Sequence, residues 1–141
     1  MLTNDSEWAA RISDPASHLD KKYHVQVNSI PDAGLLENIV RGCVSSVGEE
    51  LAGSPSPENL RAKAARIVRH GDKHSWLEIT LDEGKNRQIR RLLEALQIRV
   101  LRLVRISIGP LTLGSLKKGS TQALTIEEKD ALDRAIQAAA R

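Results

Sequence analysis

The stretch Glu83-Gly84-Lys85-Asn86-Arg87-Gln88-Ile89-Arg90-Arg91-Leu92-Leu93-Glu94-Ala95 decides how this chain is read, together with Val100-Leu101-Arg102-Leu103-Val104-Arg105-Ile106 just beyond it. Between Lys85 and Arg105, seven basic residues (Lys85, Arg87, Arg90, Arg91, Arg99, Arg102, Arg105) stand against one acid, Glu94. Arginine presents a planar fork of donors that fits phosphate oxygens, so this excess points to a nucleic-acid backbone. A solvated helix face beside a basic strand edge is the plainer alternative. Ile89, Leu92, Leu93 and Leu96 recur at i, i+3, i+4 and i+7, which predicts an amphipathic helix. On it Arg87 and Arg91 point away from the apolar stripe. Arg90 sits on the flank, where it can reach a cleft at the edge of the core. Gly84 and Asn86 suit a tight entry with Asn86 as N-cap, and the helix N-terminus would add attraction for phosphate.

The bulk numbers narrow the options. A chain of 141 residues is long enough for one domain with a core. Aromatics are scarce (Trp8, Trp76, Tyr23, no Phe), so the core must be aliphatic and base stacking has few candidates. Net charge is only +3, so contact with nucleic acid must come from a local patch. One cysteine, Cys43, excludes an internal disulfide and a multi-cysteine zinc site, and fits a reducing cytoplasm. His18, His24, His70 and His74 lack metal-ligand spacing and read as surface or satisfied side chains, so no metal is expected. No apolar run approaches membrane length.

Along the chain, Thr3-Asn4-Asp5 starts a helix with Trp8, Ala9 and Ile12 on one face and Pro15 at its end. Lys22 to Asn28 alternates as a strand, with Tyr23, Val25 and Val27 on one face and His24 and Gln26 on the other. Pro31-Asp32 opens a helix carrying Leu35, Leu36, Ile39 and Val40 and closing at Gly42. Residues 44–59, rich in Gly, Pro and Ser, read as a mobile loop. Arg61–Arg69 and Ser75–Leu81 read as strands around a Gly71-Asp72 turn, with Leu77, Ile79 and Leu81 facing the core and Trp76 opposite, packed under a helix. Val100–Ile108 is apolar on both faces, as a central strand should be. Thr125-Ile126-Glu127-Glu128 forms a capping box for a last helix reaching Ala140. The class is α+β, with a mixed or antiparallel sheet and flanking helices.

Four segments also occur in a family order: Leu2-Thr3-Asn4-Asp5, Lys22-Tyr23-His24-Val25, Glu83 to Arg91, and Val100 to Leu111. Together they resemble the bacterial ribosomal-RNA pseudouridine synthases of the RsuA/RluB type over nearly the whole chain. The resemblance implies a pseudouridine synthase-like core that isomerises uridine in folded RNA with no cofactor, flipping the base into a cleft. It places Tyr23 on the family's active-site tyrosine, which stacks on the base and is a candidate for the final proton removal. It places Arg90 on the arginine that pairs with the catalytic carboxylate, and Leu103 on an apolar residue packing near the base. Lys85, Asn86, Arg87, Gln88, Arg91, Arg102 and Arg105 are the expected RNA contacts. Without the resemblance, Tyr23 reads as a core tyrosine and Arg90 as a surface arginine.

The departure is the nucleophile. The family's Gly-Arg-Leu-Asp motif lies upstream of Leu-Thr-Asn-Asp and is absent from residues 1–141, and Asp5, Asp20 and Asp82 do not take its place. The expectation is a single partial catalytic-type domain, truncated at its N-terminus and inactive alone. Its sheet should then show apolar surface and a bare edge that invites a homodimer or a complementing polypeptide. Two further readings stand beside it: a non-catalytic RNA-binding module, and an assembly protein that uses the sheet edge.

Overall fold

The computed structural model describes residues 1–45, 58–83 and 87–139. Asp5 accepts from the Trp8 amide at 3.0 Å and caps α1 (Ser6–Ser13). A 3-10 turn follows at Pro15–Ser17, and then β1 (Lys21–Val27) and α2 (Ala33–Arg41), the latter capped by Asp32 through the Leu35 amide at 2.8 Å. Gly42 closes α2 with φ +99, and a Cβ there would lie 2.9 Å from the Leu60 carbonyl oxygen, so only glycine lets the next strand pass.

The middle of the chain supplies β2 (Cys43–Ser45), β3 (Glu58–Leu60), β4 (Ala64–His70) and β5 (Ser75–Leu81). β2 and β3 pair antiparallel, so the ends of the expected 44–59 loop are strands; residues 46–57 lie outside the described residues. α3 (Gln88–Ala95), β6 (Val100–Ile108), β7 (Leu111–Thr112) and α4 (Ile126–Ala139) complete the order. Thr125 and Glu128 exchange bonds at the start of α4, Glu128 N–H to Thr125 Oγ1 at 3.1 Å and Thr125 N–H to Glu128 Oε2 at 2.8 Å.

The main sheet runs β4-β5-β1-β6-β7, and every strand pair among the described residues is antiparallel. β1 is its centre because its alternation buries Val25 and Val27 fully while both of its edges are paired. Leu77, opposite Val25, and Ile79, opposite Tyr23, share that face, and Ile39 of α2 with Ile89, Leu92 and Leu93 of α3 close over it. A smaller cluster of Trp8, Ile12, Leu19, Ile108 and Leu132 joins α1 and α4 at the far end of the sheet. Trp8 is fixed there by its indole N–H to Asp133 at 2.8 Å.

Four expectations are corrected. β6 is not a central strand buried on both faces: among the described residues its outer edge meets β7 at Ser107 and Ile108 and the Leu113 amide at the Ile106 carbonyl, and Leu101 and Val104 are exposed. An apolar run on both faces reads as interior until the neighbours are known. The first of the paired strands begins at Ala64, not Arg61, because Ala62 and Lys63 bond to Ile39 and Thr80 as a crossing segment. Val40 is exposed, leaving Ile39 as the fully buried residue of α2. Asn86 lies outside the described residues, and Arg87 holds the N-cap position of α3 with φ 50 and no side-chain cap.

Candidate active site

The pleat of β1 and its two neighbours determines which side chains meet. Tyr23 lies opposite Ile79 on β5 and Arg105 on β6; one step along, Val25 lies opposite Leu77 and Leu103. Directly paired residues share a face, so Tyr23, Leu103 and Arg105 stand on the side of the sheet that α3 covers. Tyr23 and Leu103 are half-buried and pack against the cluster that holds Ile89, Leu92 and Leu93. Between Lys22 and Tyr23 the pairing with β6 slips by one residue, with Lys22 opposite Ser107 and Tyr23 opposite Arg105. Such a bulge twists the strands locally and re-aims the side chains beside it.

Arg90 is half-buried on α3, next in sequence to the buried Ile89. The entry to its helix is held from within. The Gln88 side-chain amide donates to the Arg61 carbonyl at 2.8 Å and to Glu83 Oε1 at 3.0 Å. Gln88, expected among the RNA contacts, is therefore corrected to a buried structural residue, 2% exposed. A glutamine in a basic run gives no sequence signal of which way it turns.

The other expected contacts divide. Arg87 is exposed at the left-handed turn into α3, and Arg91 is half-buried on the helix. Arg105 joins Tyr23, but Arg102 lies opposite Gln26 and so faces the other side of the sheet. Lys85 and Asn86 lie outside the described residues. One basic run in sequence is thus two patches in space, because β6 alternates its side chains.

Lys21 was missed. It is two residues before Tyr23 on the same strand, which by period two places it on the same face. Burial pushes its ammonium pKa down, Arg105 adds to that, and Asp82 and Asp20 oppose it. Asp20 is itself gripped by Lys63, whose Nζ lies 2.8 and 2.9 Å from its two carboxylate oxygens. Asp5 is committed to its helix cap.

The opposite face carries a separate network. Glu78 accepts from Arg66 Nε at 3.2 Å and from an Arg66 terminal nitrogen at 3.1 Å, and lies 3.3 Å from His24 Nε2. The Arg66 bond, helped by His24, holds the Glu78 carboxyl below the ordinary glutamate range, against a smaller opposing effect of burial. Stability from a depressed acid is complete above the unfolded value and is lost as pH falls through the folded one. Glu78→Gln should therefore melt lower than wild type near pH 7, modestly since Arg66 is exposed. The gap should narrow at an acid pH below the ordinary glutamate range. Melting curves at both pH values check this; a gap that persists in acid would contradict it. Trp76, expected under a helix, instead lies half-exposed on this face with the Arg69 guanidinium 5.0 Å from its ring centroid.

The RNA pseudouridylate synthase family model matches residues 1–95. An uncharacterized RNA pseudouridine synthase of Aquifex aeolicus is 37% identical over 136 residues, 96% of this chain and 51% of its own length. A ribosomal large subunit pseudouridine synthase E of Xanthomonas campestris is 33% identical over 84% of this chain and 66% of its own. The ribosomal large subunit pseudouridine synthase B of Bacillus subtilis is 32% identical over 91% and 49%. A crystal structure of a pseudouridylate synthase superposes with a TM-score of 0.71 at 27% identity, covering 92% of this chain and 52% of that one. This chain belongs to the RNA pseudouridylate synthase family. It spans about half the length of most of these relatives.

Proposed function

We propose that residues 1–141 form one partial catalytic-type domain of a ribosomal-RNA pseudouridine synthase that receives a flipped uridine against Tyr23. The observation that carries the reading is the shared face of Tyr23, Leu103 and Arg105 beneath α3, the helix of Arg90. In this reading the uracil stacks on Tyr23 beside Leu103, while Arg87, Arg91 and Arg105 hold phosphates. Arg90 is the counter-charge for a catalytic carboxylate that these 141 residues do not supply. The glycosidic bond to nitrogen breaks, the uracil turns, a bond from carbon to ribose forms, and the proton on that carbon leaves, with Tyr23 as the group in position to take it.

The open edge of β6 offers a place for a second copy or a complementing polypeptide, since Leu101 and Val104 are 38% and 42% exposed on that strand. A ribosomal-RNA substrate puts the protein in the cytoplasm. No helix among the described residues is long and apolar enough to cross a membrane. The test is photocrosslinking from an RNA that carries 4-thiouridine, with the attachment site mapped by mass spectrometry. Adducts on Tyr23 or Leu103 are the expected result.

A further inference from the structure

The face of the sheet opposite Tyr23 has no part in the reading above, yet it has the composition of a ligand surface. Alternation puts Lys22, His24 and Gln26 of β1 on it, with Trp76 and Glu78 of β5, Arg66 and Arg69 of β4, and Arg102 of β6. Among the described residues, none of the four α-helices contributes its buried side chains here: those of α2 and α3 pack on the other face, and those of α1 and α4 gather around Ile108. At the β4–β5 hairpin the face deepens into a groove of about 300 Å³ lined by Gln26, Arg69, His70, Lys73, His74 and Trp76. Lys22, Arg66, Arg69, Lys73 and Arg102 are all exposed. Against them stand Asp72 and Glu78, and Glu78 is already satisfied by Arg66 and His24. The remaining charge is positive, and Arg69 pins the one indole ring that borders the groove.

We infer that this face is a second RNA-binding surface, which takes a single-stranded stretch of the RNA with a base against Trp76 and phosphates on Arg69, Lys73 and Arg102. A cationic groove with an aromatic wall is how single strands are held without sequence readout, since every base has a π-face and every linkage a charge. An acidic polypeptide would satisfy the charges but gains little from the indole. The inference rests on the RNA reading of the family fold and adds a contact on the other side of the sheet. An RNA that reaches both faces must fold around an edge of the sheet, so structured RNA should bind more tightly than an equally long single strand.

The chain has two tryptophans, and Trp8 is buried, so Trp8→Phe leaves Trp76 as the sole tryptophan, read apart from Tyr23 by excitation at the red edge of indole absorption. Titrating this protein with an oligouridylate of about twelve nucleotides should quench Trp76 saturably and in a salt-dependent way. The double variant Arg69→Ala, Arg102→Ala should weaken binding about tenfold. Should Trp8→Phe fail to fold, fluorine NMR of 5-fluorotryptophan wild type reads the Trp76 resonance instead. Binding by anisotropy with Trp76 unmoved and the double variant unaffected would overturn the second surface while leaving the RNA reading intact. Equal quenching by polyglutamate would assign the face to an acidic polypeptide and overturn the inference. Failure of both the oligomer and a large-subunit ribosomal RNA transcript to bind would overturn the RNA reading, and this surface with it.

Discussion

Incubated with unmodified ribosomal RNA, the 141-residue chain alone is expected to form no pseudouridine. The reaction opens with a carboxylate, and each carboxylate weighed for that place has other commitments or another location. Asp5 caps α1 and Asp20 is held by Lys63. Asp82 lies just past the end of β5, where it faces Lys21 electrostatically. Glu78 is on the opposite face of the sheet from Tyr23. Removing a catalytic nucleophile costs roughly 10⁴- to 10⁶-fold in rate where it has been measured, which takes turnover below detection. Pseudouridine mapping after incubation reads the outcome. Robust conversion would mean that one of these carboxylates acts, with Asp82 first to be replaced by Asn.

Leu93→Ala should destabilise the domain by about 3 kcal/mol, roughly a hundredfold in the folding equilibrium. Leu93 is fully buried between α3 and the sheet, and its carbonyl accepts the Ile98 amide at 2.8 Å as the chain leaves the helix. Truncation there leaves a cavity that rigid strands on one side cannot fill. Leu101→Ala on the open edge of β6 is the matched control, expected within about 0.5 kcal/mol of wild type. Denaturant unfolding of both variants measures the contrast. Similar losses would mean that Leu101 is covered in solution, the result a dimer across β6 would give.

Local rules carried the elements well. Asp5, Asp32 and the Thr125–Glu128 pair mark helix starts by chemistry confined to four residues, and all three caps form. The alternation of β1 and of Ser75–Leu81 was legible for the same reason. Relations between elements were not. Whether Val100–Ile108 is central or lateral depends on which strand pairs beside it, and nothing in its own residues says so. The direction of Gln88 depends on the Arg61 carbonyl, 27 residues away in sequence. The basic run suggested one patch, although the alternation of a strand already sets Arg102 and Arg105, three residues apart, on opposite faces, and their partners Gln26 and Tyr23 show which. The site residues Tyr23 and Arg90 came from the resemblance; periodicity alone made them a core tyrosine and a surface arginine.

The measurement that bears most directly on the central claim is the site of attachment of 4-thiouridine RNA. The account predicts crosslinks at Tyr23 or Leu103, lost when an excess of unlabelled ribosomal RNA competes and weakened in Arg87→Ala and Arg105→Ala. Crosslinks confined to α4 or to the open edge of β6, with Tyr23 untouched, would contradict it: the face beneath α3 would then not be where this domain receives a uridine.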